Sequence, residues 1–103
     1  MIRLYQFLCG QKKEYVLSKQ LLRSGTAIGA MVKESEHAQS KADFLNKMNV
    51  ALKEANETEY WLMLLKDTEY INKNEFDSIN ADCTEILRLL INIVKSTKTS
   101  LKK

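Results

Sequence analysis

The chain has 103 residues, 45% of them hydrophobic, which suits one domain with a buried core. It has no proline and only three glycines, so the turn residues of all-β and α/β proteins are missing and long helices are expected. No apolar run approaches the roughly 20 residues of a membrane-spanning helix, and the net charge of +3 is modest.

The first predicted helix covers Met1 to about Cys9. Its apolar positions are Ile2, Leu4, Tyr5 and Leu8. Neither a capping residue nor a turn precedes the helix, so we expect it to be short or to lack its first turns. A polar link follows and ends at Lys13.

The second predicted helix runs from about Tyr15 to Ala38. One stripe of this helix carries Leu17, Leu21, Gly25, Ile28 and Val32. Glycine inside a helix costs about 0.5–1 kcal/mol relative to alanine. Because Gly25 and Gly29 lie four residues apart, we expect another helix to approach closely at both.

Ser40 and Asp43 form a capping-box pattern that starts the third predicted helix, which extends from about Lys41 to Tyr70. Its core face consists of Phe44, Met48, Ala51, Ala55, Leu62 and Leu65. Further apolar residues lie well to one side of that face: Val50, Trp61 and Leu64. This stripe is wider than the roughly 100° that one bundle needs, which predicts a subunit interface there.

Asn72 and Glu75 form a second capping pair near the start of the fourth predicted helix. The core stripe of this helix consists of Phe76, Ile79, Cys83, Ile86, Leu87, Leu90 and Val94. Short links between long helices favour an antiparallel up-down-up-down four-helix bundle, with residues 1–103 as a single all-α domain.

Positive charge is concentrated near the two ends of the chain. Residues 1–23 and 95–103 each carry a net charge of +4, whereas residues 24–94 carry −5. The candidate nucleic-acid contacts are Lys12, Lys13, Lys19, Lys95, Lys98, Lys102 and Lys103. In the expected bundle, the C-terminal lysines and Arg3 share one end, and the other lysines lie near the opposite end. Basic tails also serve solubility alone, so the pattern is compatible with phosphate binding without requiring it.

A polar network is predicted between the second and third helices. Its candidate members are Arg23, Ser24, Glu34, Glu54 and Glu57. Paired glutamates in a bundle can hold two iron ions, but those sites need Glu-x-x-His motifs, and His37 is the single histidine. The glutamates are therefore expected to pair with Arg23 and to bind no metal.

Signatures of catalysis and of cofactor binding are absent from the sequence. The stretch from Ser24 to Gly29 lacks the Gly-Lys-Ser/Thr ending of a phosphate loop, and Ser24 lacks the Gly-x-Ser-x-Gly motif of a hydrolase nucleophile. Cys9 and Cys83 lie far apart and read as reduced thiols. We expect a cytoplasmic, non-enzymatic protein without a cofactor.

Several motifs resemble a bacterial four-helix bundle family encoded in intervening sequences of 23S ribosomal RNA genes. The matching residues are Gln20–Thr26, Ile28–Ala30, Glu34, Ser40, Asp43, Phe44, Lys47 and Ala51–Leu62. The family usually has further residues ahead of Met1. The chain departs from the family pattern at Ala27 and Met31, where serine and asparagine are usual, so it lacks two polar groups of that pattern.

The resemblance implies a ring-like homopentamer without established enzymatic activity. The family also resembles accessory proteins of diversity-generating retroelements, which bind nucleic acid and a reverse transcriptase. Two functions follow as expectations: low-specificity binding of RNA or DNA through the basic ends, or a protein-interaction scaffold that binds no nucleic acid.

Overall fold

The computed structural model describes residues 1–102, which form four helices and, within that range, no strand. The helices are α1 (Ile2–Gly10), α2 (Val16–Ser35), α3 (Lys41–Asp67) and α4 (Lys73–Lys102). The all-α class and the short first helix are confirmed. Both α2 and α3 end three residues earlier than the sequence pattern predicts.

The two predicted capping pairs are present. The Asp43 N–H donates to Ser40 Oγ at 3.0 Å, which satisfies one of the unpaired donors at the start of α3. At α4, the Glu75 N–H donates to Asn72 Oδ1 at 2.8 Å, and the Asn72 N–H donates to the Glu75 carboxylate at 2.9 Å. This reciprocal pair is a capping box built on asparagine.

Glu14 caps the start of α2, a role that the sequence pattern did not reveal. Its carboxylate accepts hydrogen bonds from the backbone N–H groups of Val16, Leu17 and Ser18 at 2.7–2.9 Å. Burial alone would raise the pKa of Glu14, but these three donors stabilise the charged form, and the pKa is lowered overall.

The central helix of the bundle is α3, which packs against α2 on one side and α4 on the other, while α1 packs on α2. The core lies along these contacts. Its buried apolar members are Leu8, Leu21, Met48, Ala51, Ala55, Leu62, Leu65, Ile71, Phe76, Cys83, Leu87, Leu90 and Val94. Five of the six residues of the predicted core face of α3 belong to this core, and the sixth, Phe44, packs against it.

Helix α1 covers only half of α2, and this corrects two predicted core positions. The Met1 side chain lies against Gly25, at the middle of α2. Beyond that point Val32 on α2 and Ile86 on α4 remain 40% and 39% exposed. They were predicted to be buried, but no part of α1 reaches them.

A groove of about 420 Å³ lies between α2 and α4, next to the N-terminal end of α1. Its lining residues are Met1, Gly25, Ile28, Gly29, Thr58, Ile79, Asp82, Cys83 and Ile86. A Cβ atom at Gly25 would come within 2.8 Å of Met1 Cγ, which confirms the predicted close approach there. The same prediction is wrong for Gly29, because no atom of residues 1–102, apart from neighbouring residues of α2 itself, lies within 4 Å of a Cβ built at that position.

Helices α2, α3 and α4 thus form a layer with two different sides. We call the side that carries α1 and the groove the groove face. The opposite side, the back face, is formed by α3 residues that point away from the core, spaced four, three and four apart: Asn49, Lys53, Asn56 and Tyr60. All four are exposed to solvent.

Candidate functional site

Predicted nucleic-acid contacts from the C-terminal segment lie at the end of the bundle where α4 finishes. Lys95, Lys98 and Lys102 are exposed on the last turns of α4, and Lys103 lies outside the described residues. The Lys41 ammonium donates to Ser100 Oγ at 2.6 Å, joining the start of α3 to the last turns of α4. Exposed Lys33, in the last turn of α2, adds a further charge at this end.

Lys33 and Lys41 are contributors to this end that the sequence analysis missed. The signal was available, since an antiparallel bundle brings the end of α2, the start of α3 and the end of α4 to the same place. Both lysines lie within residues 24–94, whose net charge is negative, so the sum of charges along the chain did not point to them.

Lys12, Lys13 and Lys19 lie near the opposite end of the bundle and are exposed. Acidic residues partly offset the charge there, since Lys73 pairs with Asp77 at 2.8 Å. The Lys12 ammonium lies 5.8 Å from the centre of the Phe7 ring. A pocket of about 470 Å³ at this end is lined by two glutamates as well as by Lys12, Lys66 and Lys73.

Arg3 lies at neither end, which corrects the expected grouping with the C-terminal lysines. Helix α1 begins beside Gly25 and runs back towards the start of α2. Because α1 has only nine residues, Arg3 remains near the middle of the bundle.

Arg23 on α2 bridges two carboxylates of α3. Its Nη1 lies 3.2 Å from Glu54 Oε2, and its Nη2 lies 3.5 Å from Glu57 Oε2. Partial burial raises the pKa of Glu54, the neighbouring Glu57 raises it further, and Arg23 opposes both effects without cancelling them. The arrangement joins two helices.

The other predicted network members lie in separate contacts. Ser24 is fully buried, and its hydroxyl oxygen lies 2.9 Å from that of Thr58 on α3. Glu34 pairs with Lys47 at 3.5 Å, near the other end of the α2–α3 contact. The predicted network is therefore three separate contacts between α2 and α3.

The predicted interface residues lie on the side of the back face nearer to α2. Val50 is exposed, whereas Trp61 and Leu64 are partly buried. The Trp61 ring meets Tyr60 edge to face at 5.1 Å, and its buried Nε1 has no hydrogen-bond partner within the described residues. These two rings border a shallow depression of about 560 Å³, whose other lining residues are Asn49, Leu52, Lys53, Asn56 and Glu57.

Neither thiol forms a disulfide. Burial raises the pKa of the Cys83 thiol to about 11, with a smaller contribution from the charge of Glu59. The Cys83 thiol is therefore neutral near pH 7 and donates to the Ala55 carbonyl at 3.7 Å. Within residues 1–102, the helices are too short or too polar to cross a membrane.

The bundle is similar to a protein of known structure, and the sequence matches the model of one protein family. A crystal structure at 1.70 Å of a protein of unknown function from the S23 ribosomal protein family of Bacteroides thetaiotaomicron superposes with a TM-score of 0.90. It shares 63% sequence identity over 91% of this chain and 84% of that chain. No curated protein matches significantly. The family model described as "23S rRNA-intervening sequence protein" matches residues 1–92, and the chain therefore belongs to that family.

Proposed function

We propose that the protein is a non-enzymatic, homo-oligomeric bundle that binds RNA or DNA with low sequence specificity through its basic ends. The observation that carries this proposal is the end where α2 and α4 finish and α3 begins. Five exposed lysines from three helices lie there: Lys33, Lys41, Lys95, Lys98 and Lys102. Phosphate groups are bound by such charge without any reading of bases.

Assembly increases the effect of each basic end. A pentamer, the state that the family resemblance implies, carries five copies of each end, and multivalency raises binding strength without new contacts. The interface that we propose contains Val50, Trp61 and Leu64 on one side of α3, and Glu54 and Glu57, which pair with Arg23, lie between Val50 and Trp61. We place the protein in the cytoplasm, where its two unpaired thiols remain reduced.

A protein-interaction scaffold is the second candidate, and the groove face favours it. Ile86 and Leu89 remain exposed beside the groove on α4, although they are large and apolar. Exposed apolar surface of this kind is typical of sites that contact other proteins. In this function the protein binds no nucleic acid.

Light scattering of the protein with a structured RNA, at about 50 mM and about 200 mM salt, tests both candidates. Nucleic-acid binding predicts an oligomer that binds RNA at the lower salt and releases it at the higher. Reversing the charge of Lys95, Lys98, Lys102 and Lys103 should then abolish RNA binding and leave the oligomer mass unchanged. An oligomer indifferent to RNA favours the scaffold, and a monomer contradicts the proposed assembly.

A further inference from the structure

A stripe of positive charge runs along α4. Its members are Arg88, Lys95, Lys98 and Lys102. Their spacings of seven, three and four residues place them on one side of the helix. All four are exposed, and at 1.5 Å per residue the stripe is about 21 Å long.

This stripe lies on the back face. The residues of α4 that line the groove are Ile79, Asp82, Cys83 and Ile86. At 100° per residue, the stripe lies on the opposite flank of α4, beyond the core positions Leu87 and Leu90. The exposed side chains of α3 that point away from the groove are on the same side of the layer as the stripe.

Two contacts fix how α3 and α4 align lengthwise. Cys83 Sγ lies 3.7 Å from the Ala55 carbonyl, and Lys41 Nζ lies 2.6 Å from Ser100 Oγ. This alignment places Lys53 about level with Arg88. The depression, which Lys53 lines, therefore lies on the helix next to the Arg88 end of the stripe and at about the same level of the bundle.

Charges on this surface are available to an external ligand. Arg88, Lys95, Lys98 and Lys102 form no ion pair with another residue of 1–102, nor does Lys53. Four other basic side chains of the described range do have acidic partners: Arg23, Lys47, Lys66 and Lys73. The one carboxylate that lines the depression, that of Glu57, is paired with Arg23.

We propose that a single strand of nucleic acid binds along the back face, with its phosphates against the α4 stripe and Lys53 and one base against the ring of Tyr60. Tyr60 is 54% exposed, and its ring packs edge to face with that of Trp61. An exposed aromatic ring beside a track of cations is how proteins bind single strands, whose bases are free to stack. In a duplex the bases are already stacked on one another.

This inference rests on the proposed function and moves its principal contact from the ends of the bundle to the back face. The stripe leaves room for assembly, because it lies on α4 whereas the proposed interface lies towards α2. The two surfaces meet at Trp61, which lines the depression and belongs to the proposed interface. The proposal also adds three contacts that the charge of the chain ends does not suggest: Lys53, Tyr60 and Arg88.

Fluorescence anisotropy with labelled oligo(rU), oligo(dT) and a duplex of equal length tests the proposal. The back-face variant carries Lys53→Gln and Arg88→Gln, and the matched end variant carries Lys33→Gln and Lys41→Gln, which remove the same charge. Each phosphate contact on a single strand contributes about 0.7 to the slope of log K against log salt. We expect the back-face variant to lower that slope by about 1.4, which is more than the end variant lowers it.

A third variant, Tyr60→Ala, tests the aromatic contact. We expect it to weaken single-strand binding about tenfold with an unchanged salt slope, since stacking carries no charge. Circular dichroism and solution mass establish that each variant keeps its fold and assembly. A difference between oligo(rU) and oligo(dT) identifies which nucleic acid is preferred.

The possible outcomes separate the two proposals. A larger loss of binding in the back-face variant than in the end variant supports the proposed contact along the back face. An equal or larger loss in the end variant, or equal affinity for the duplex, overturns that contact and leaves the proposed function standing. If the unaltered protein binds none of the probes at low salt, the proposed function fails and the proposed contact fails with it.

Discussion

The hydroxyl oxygens of Ser24 and Thr58 lie 2.9 Å apart inside the contact between α2 and α3, and neither residue is exposed to solvent. Each hydroxyl also lies within hydrogen-bond distance of a carbonyl of its own helix, at Leu21 and at Glu54. The pair therefore joins the two helices without leaving a buried polar group unsatisfied.

Ser24→Ala and Thr58→Val should each lower the free energy of unfolding by about 1 kcal/mol, because each removes the hydrogen bond between the two helices, while the remaining hydroxyl keeps the carbonyl of its own helix. The double variant should lose less than the sum of the two, since the same hydrogen bond is lost only once. Urea unfolding measures all three. Thr26→Val, at an exposed position of α2, is the control. Additive losses would show that the two hydroxyls do not interact.

Arg23→Ala should destabilise the fold or its assembly, because it leaves Glu54 and Glu57 without their shared cation. The Arg23 side chain is 50% exposed, so solvent screening limits the loss of unfolding free energy to about 1 kcal/mol. Adding Glu54→Gln should restore part of that loss. Melting temperature and solution mass are the measurements, and no change in either would contradict the proposed role.

Glu14→Ala should cost about 1–2 kcal/mol near pH 7, since it removes the acceptor for three backbone donors at the start of α2. Glu14→Gln keeps one acceptor oxygen and should cost less. The exposed Glu36, substituted in the same way, is the control.

The pH dependence follows from the lowered pKa of Glu14. Since the folded pKa lies below the ordinary value of 4.5, the contribution of Glu14 is present above that value and is lost as the pH falls through the folded pKa. Acid unfolding of Glu14→Gln should therefore lack part of the decline seen in the unaltered protein. Identical acid-unfolding curves would contradict the capping role.

Gly29→Ala should stabilise the fold by about 0.5–1 kcal/mol, because glycine inside a helix is unfavourable and the added methyl group would have open space around it within residues 1–102, apart from its neighbours in α2. Gly25→Ala should gain less, since its methyl group would come within 2.8 Å of Met1 Cγ. Thermal unfolding compares the two. A clear loss of stability in Gly29→Ala would show that the groove at this position is filled in solution.

Sequence patterns predicted the helices and their caps well, because those features depend on neighbouring residues. Ser40 with Asp43, and Asn72 with Glu75, show their hydrogen-bonding potential in the sequence itself. Glu14 was missed because it lies one residue ahead of the usual cap position and is not a common capping residue. The burial of Val32 and Ile86 was mispredicted because it depends on how far α1 reaches.

The sequence alone determined the class of this protein, its four helices and its family, since hydrophobic periodicity, capping residues and motif spacing are local properties of the chain. Only the tertiary structure decided that Lys41 joins Ser100, that Arg3 lies away from both ends, and that Lys53 aligns with Arg88. Those relationships depend on how antiparallel helices are aligned, which short-range patterns do not encode. Net charge can be summed along the sequence, but a ligand contacts the charges that the fold brings together on one surface.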